Sequence, residues 1–310
     1  MSLAEEIPTG EQERPIDRAI AEEVLQRDPF PHLLVPDLLS REQRAAMARH
    51  WPQEADFTTY SDGHQRKLGE AGRFGLYIMG SAAGAATDRL TPASLRYWRE
   101  RGAPLMRDAA TALYRRYLPA LRLRFGAALP ELELETFAVL VNCYRRIEVR
   151  VHTDHPSFLY TAMLYLNAGA RESAGTSLYT PRQTGFRHEG CGFLERDDFE
   201  RVRTLPFRDN QLVSFLKTDN SFHGVEPQPL AAATERCTIN MHVRLTDACI
   251  ARLYGTETAR CFRERISGRT PVAADALQRW QTLADLSGTP ATEAEMRPLL
   301  DSFRIGDRQL

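Results

Sequence analysis

Three side chains of this sequence could hold a metal ion between them. His152 and Asp154 stand two positions apart in VRVHTDHP, and His223 lies in SFHGVEP, 71 positions beyond His152. In an extended chain alternate side chains share a face, so His152 and Asp154 present an imidazole and a carboxylate to the same side. A second imidazole supplied by His223 from a distant strand completes a facial triad. Such a triad covers one face of an octahedral Fe(II) and leaves three positions open, as oxygen activation requires. A His-x-Asp tripeptide alone arises by chance in a chain with eight histidines, so its weight depends on the elements that carry it.

Those elements read as strands. ELETFAVLVNCYR, EVRVHTD and FLYTAMLYLN follow one another from about residue 131, rich in Val, Leu, Tyr and Thr. NQLVSFL and RCTINMHVRL continue the pattern, the first leading to His223. Strands with no helix between them fit an antiparallel sandwich or barrel rather than a parallel βαβ sheet. Earlier in the chain, short strands are expected at 30–35 and 75–79, and a helix capped by Ser40. From Thr91 a helical pattern runs on, with Pro104 and Pro119 expected to divide it into two or three helices. Residues 168–205 read as a long irregular loop, and the chain after Thr246 as helical. The expected organisation is a single domain: 1–130 mainly helical, 131–246 the β core, 247–310 helical.

Composition narrows the function. The 310 residues carry a formal net charge of −1, which gives no global electrostatic case for a nucleic-acid or membrane partner. The five cysteines include no Cys-x-x-Cys pair, arguing against a disulfide framework or zinc knuckle. The first twenty residues have no apolar core and no run of 18 apolar residues occurs, so a cytoplasmic location is expected. Of the 40 basic residues only Lys67 and Lys217 are lysine, a bias typical of GC-rich coding sequence.

The motif order from about 137 to 245 resembles the Fe(II)/2-oxoglutarate dioxygenases, specifically their prolyl-hydroxylase-like branch. His152-Thr153-Asp154 is followed by Tyr165-Leu166-Asn167, then His223-Gly224-Val225-Glu226-Pro227, then Arg236. The resemblance implies a double-stranded β-helix of α+β class with helical N- and C-terminal elaborations. It implies His152, Asp154 and His223 as metal ligands, with Fe(II), 2-oxoglutarate and O2 as cofactor and co-substrates. Two departures stand out. Arg236 lies 13 residues after His223, a longer gap than the family's, and Gly175-Thr176 stand where a glycine-rich acidic loop is usual.

The resemblance also assigns a co-substrate pocket. The far carboxylate of 2-oxoglutarate needs a buried cation, and the guanidinium fork of Arg236 suits it. Tyr165 would add a hydroxyl, and Asn240, four residues past Arg236 on the same face, is a further candidate. Arg244 is the alternative cation, at the far end of the strand. Asn142, Tyr144, Arg150, Tyr179 and Arg187 are the substrate-contact candidates, the last two in a lid formed by 168–205. With Asp154 present the implied outcome is hydroxylation, desaturation or ring formation rather than halogenation. The expected substrate is a small molecule, such as an amino acid, peptide or cyclic dipeptide of bacterial specialised metabolism. The competing readings are a prolyl-type protein hydroxylase and a non-catalytic metal- or metabolite-binding sensor.

Overall fold

The structure, a computed structural model, describes residues 15–59, 73–80, 88–143, 146–166, 172–229, 235–266 and 290–307. The chain opens with helix α1 (Ile16–Glu22), strand β1 (His32–Val35) and helix α2 (Arg41–Arg49). Ser40 caps α2 in a reciprocal capping box with Gln43, satisfying two end groups of the helix. β2 (Thr58–Thr59) and β3 (Arg73–Met79) follow, so this region supplies three strands as well as helices.

The helical stretch from Thr91 is divided differently from the expectation. α3 (Pro92–Tyr97) passes through a π-helical turn at Trp98–Gly102 into one 23-residue helix, α4 (Ala103–Phe125). Pro104 sits in the first turn of α4, where its missing N–H would have no partner anyway. Pro119 lies inside the helix, and its lost hydrogen bond is offset by the face buried around it: Leu113, Tyr114, Tyr117, Leu118 and Leu121. The irregularity falls instead where the Trp98 ring lies over Gly102, so closely that a Cβ there would stand 2.3 Å from the ring.

Eight strands then build the core: β4 (Leu134–Cys143), β5 (Arg146–His152), β6 (Phe158–Tyr165), β7 (Ser177–Pro181), β8 (Phe199–Thr204), β9 (Gln211–Leu216), β10 (His223–Pro229) and β11 (Arg236–Leu245). They form two antiparallel sheets. The larger runs β1-β9-β6-β11-β4-β3-β2 and the smaller β5-β10-β7-β8. From β4 to β11 the chain winds between the two, the topology of a double-stranded β-helix. Helices α5 (Asp247–Tyr254), α6 (Thr256–Arg263) and α7 (Glu293–Asp307) close the chain.

Alternation along β11 assigns the two faces of the larger sheet. Cys237, Ile239, Met241, Val243 and Leu245 pack with the helices in the main core. Arg236, Thr238, Asn240, His242 and Arg244 therefore face the smaller sheet.

The stretch 168–205 is not a free lid. Its described part contains β7 and β8, which pair with each other and, through β7, with β10. Only 182–198 connects them, and it is fastened to the strand that carries His152. Leu194 N–H donates to Val151 O (2.8 Å), and Gly190 packs so closely on the Asp154 carbonyl that a Cβ would lie 1.8 Å from it.

Candidate active site

Strand register brings the three residues together. His223, the first residue of β10, lies directly opposite His152, the last of β5. Asp154 follows two residues on. Nε2 of each histidine is 3.7 Å from the same oxygen, Asp154 Oδ1, and the imidazole centroids are 4.3 Å apart. Among the described residues these three form a cluster of metal-ligand type, with ligating atoms all within 4.8 Å of one another.

The other atom of each group is already engaged. His152 Nδ1 bonds to Arg150 O and His223 Nδ1 to Ser221 O, each at 2.9 Å and each two residues back along its own chain. Because a carbonyl only accepts, Nδ1 carries the proton and the Nε2 lone pair faces the centre. Asp154 Oδ2 accepts from the Thr161 hydroxyl at 2.6 Å, leaving Oδ1 toward both imidazoles. Burial pushes the Asp154 carboxyl up, but His223, His152, His242 and the Thr161 hydroxyl outweigh it and hold it at about 2. The His152 side chain is 18% exposed and that of His223 8%, so the centre opens on the His152 side.

The loop after β5 is held from several directions. Thr153 Oγ1 donates to His188 O (3.0 Å) and accepts from the ammonium of Lys217 (2.9 Å). Burial draws the Lys217 ammonium down to about 7, against the attraction of Asp154. Arg124 of α4 donates to the carbonyls of Pro156 and Phe158, both at 3.0 Å. His155 Nε2 bonds to Phe262 O of α6 (3.1 Å), while its Nδ1 meets Ser157.

Further along the inner face of β11 lies a buried cation. Arg236 Nε donates to Ala174 O (2.8 Å), and its guanidinium lies 5.0 Å from the Phe207 centroid and 5.4 Å from that of Tyr165. Among the described residues no carboxylate pairs with it. Tyr165 is fully buried, its hydroxyl 2.6 Å from Thr176 Oγ1 and accepting from Thr176 N–H. Asn240 shares the face and accepts from Thr238 Oγ1 (2.9 Å). Arg244, the alternative cation, is bound to Glu135 at 2.5 Å and half exposed.

The substrate candidates scatter. Asn142 is a correction: it pairs with Cys237 on the helix-facing side of the larger sheet and bonds to Glu235 (2.9 Å), away from the metal ligands. Tyr179 is another. Its neighbour Leu178 faces His223, so Tyr179 points to the far side, among Val151, Phe199 and Phe222, with its hydroxyl on Glu226 (2.5 Å). For Arg150, a register shift between β5 and β10 breaks the alternation that would have turned it inward. It lies exposed at the rim, over Phe193 and 3.5 Å from Glu195. Arg187 pairs with Asp219 (2.9 Å). Tyr144 lies outside the described residues.

Several residues of the site carried no clear signal. Thr161 and His242 are one: His242 Nδ1 lies 3.2 Å from the hydroxyl that holds Asp154. His242 reads in sequence as a core residue of its strand, and only the β6–β11 register puts it beside Thr161. Phe193, edge-on to His152 at 5.3 Å, comes from the β7–β8 connection.

No protein-family model and no curated protein matches the chain. Among solved structures it is similar to a prolyl-4-hydroxylase of Pseudomonas putida, at 15% identity and TM-score 0.38 over 74% of this chain and 98% of that one. It is also similar to the non-haem α-ketoglutarate-dependent carbocyclase SnoK of nogalamycin biosynthesis, at 13% and 0.42 over 89% and 92%. A third is HygX of Streptomyces hygroscopicus, solved with nickel and 2-oxoglutarate bound, at 12% and 0.38 over 69% and 83%. These likenesses are distant in both measures, so the functional reading rests on the site.

Proposed function

We propose that this chain is an Fe(II)/2-oxoglutarate-dependent oxygenase that hydroxylates or otherwise oxidises an unactivated C–H bond of a small molecule. The observation that carries the reading is the pair of imidazoles whose Nδ1 atoms are occupied by their own backbone, so that both Nε2 atoms converge on one oxygen of Asp154. Two nitrogens and a carboxylate on one side are a donor set that fits Fe(II) and leaves it open on the other. The iron would supply the oxidising chemistry, using O2 and the 2-oxo acid with succinate and CO2 as co-products.

The chain's own part is binding and orientation. His152, Asp154 and His223 hold the metal, and Thr161 fixes which carboxylate oxygen faces it. Arg236 is the counter-charge for the far carboxylate of 2-oxoglutarate, with Tyr165, Thr238 and Asn240 around it. Arg244 is already neutralised by Glu135, which favours Arg236 for that role. Arg150, at the rim, is paired with Glu195, as Arg244 is with Glu135, so neither arginine stands as an uncompensated charge. That suits a small molecule such as an amino acid, peptide or cyclic dipeptide better than a highly charged polymer.

The test is turnover. Fe(II)-loaded protein should convert 2-oxoglutarate to succinate in a reaction stimulated by a subset of a small-metabolite panel, and His223→Ala should abolish it. Metal-loaded protein that neither binds nor consumes 2-oxoglutarate would leave a sensor or another metal chemistry.

A further inference from the structure

We propose that Lys217 is a positioning residue for the metal centre, acting through Thr153; the proposal rests on the metal reading above. Lys217 follows the last residue of β9, and its backbone N–H donates to Leu159 O (3.0 Å), which fixes where its side chain starts. The side chain runs inward and is almost wholly buried. Its ammonium donates to Thr153 Oγ1 and to Thr218 O, both at 2.9 Å. Among the described residues no carboxylate lies within ion-pairing distance of it.

The direction of these bonds is determined. Thr153 has one hydroxyl proton, and that proton goes to His188 O, so its oxygen must accept from Lys217. Thr153 lies between His152 and Asp154. In extended backbone its side chain points away from the face that those two share. The hydroxyl is therefore gripped from behind by the ammonium of one segment and the carbonyl of another. Turning the peptide units on either side of Thr153 would swing both ligands, and this grip opposes the turn.

Burying an ammonium without a carboxylate is unfavourable, and an apolar side chain of the same length would fold more cheaply. Packing therefore gives no reason for a lysine here. What Lys217 adds is a donor at the end of a long stem, reaching the one residue that separates two ligands. Outer-shell partners of this kind typically shift metal affinity about 10–100-fold when removed.

The experiment is a Co(II) titration of metal-free protein, following affinity and the visible absorption of the bound ion, in wild type, Lys217→Met, Thr153→Val, Thr153→Ser and the Lys217→Met/Thr153→Val double variant. Lys217→Met and Thr153→Val should each bind Co(II) about 10–100-fold more weakly, with an altered spectrum. The double variant should be no worse than Thr153→Val alone, because Thr153→Val already removes the contact with Lys217. Thr153→Ser, which keeps the hydroxyl, should behave as wild type. The metal-free unfolding midpoint of Lys217→Met should not fall, since removing an unpaired buried charge is neutral or stabilising. Wild-type affinity and spectrum in Lys217→Met, or losses that add in the double variant, would overturn the proposal. If Lys217→Met does not fold, equal Co(II) binding by Thr153→Val and Thr153→Ser overturns it. Wild-type protein that fails to bind Co(II) would overturn the metal reading itself.

Discussion

Arg236 and Arg244 stand at opposite ends of one face of one strand, and their surroundings separate them. Arg244 is exposed enough for water to share its charge and is already paired with Glu135. Arg236 is buried against the stacked pair of Tyr165 and Phe207 rings, and its Nε donates to a backbone carbonyl. Removing one partner of a buried ion pair costs about 3–5 kcal/mol, against about 0–1 for an exposed pair. Arg236→Ala should therefore weaken 2-oxoglutarate binding by about 10²–10³-fold or more and leave metal affinity unchanged, whereas Arg244→Ala should change neither appreciably. Calorimetric titration of metal-loaded protein checks both, and unaltered 2-oxoglutarate affinity in Arg236→Ala would remove it from the pocket. His152 and Asp154 were legible because side-chain alternation puts them on one face, and His223 because it follows the strand NQLVSFL in the motif order of the resembled family. Asn142 was not, because β4 is buried on both sides and gives no polar face from which to read its phase. Lys217 was not legible either: in LKTDN a lysine reads as a solvated loop residue, and only the fold brings it to Thr153.

At the scale of elements, the strands with long apolar runs were evident, as were the edge strands β1 and β5, while β7, β8 and β10 were not. β8 is FERVRT, with one buried residue and charges along its length, which is how an exposed edge strand looks. β10 contains two prolines and register shifts, so its period is broken. The β8 edge carries a contact with a measurable consequence. His32 of β1 is buried, with Nδ1 on Phe30 O (2.8 Å) and Nε2 facing Arg203 of β8 at 2.5 Å, which ties an edge of the larger sheet to one of the smaller. Burial, more than the nearby Arg203 charge, lowers the His32 pKa to about 4. The unfolded chain then binds more protons than the folded one between about 6.5 and 4, so stability is full above that window and falls as pH drops through it. Lowering the pH from 7.5 to 5 should remove about 2 kcal/mol through this group. Urea unfolding at the two pH values should show a loss about 2 kcal/mol greater in wild type than in His32→Gln, since other buried histidines such as His155 titrate alike in both. Equal losses in both would detach the effect from His32.

For the whole molecule, the helices act as a backing layer for the larger sheet. α7 contributes Met296, Leu299 and Phe303 to the main core, its Ser302 hydroxyl lies 2.7 Å from that of Thr136 on β4, and Glu295 pairs with Arg122 of α4 at 2.7 Å. Leu299 is fully buried, so Leu299→Ala should cost about 2–5 kcal/mol. Denaturant unfolding would measure it, while Co(II) affinity below the transition should stay at the wild-type value, since α7 packs on β4 and α4 and, among the described residues, no hydrogen bond or ion pair joins it to residues 153–157. A matching loss of metal affinity would show that the backing layer tunes the site as well as supporting it.

The pairing of His152 with His223 has a mechanical side. An ion gripped by both would fasten two segments 71 residues apart in the chain, a removable rivet across the mouth of the barrel. Because only the folded chain can offer both grips, occupancy would add to the work needed to pull β5 away from β10, and that work would rise with the free metal supply. The lifetime of the chain under proteolysis would then report how much metal its surroundings hold, independently of whether any substrate is turned over.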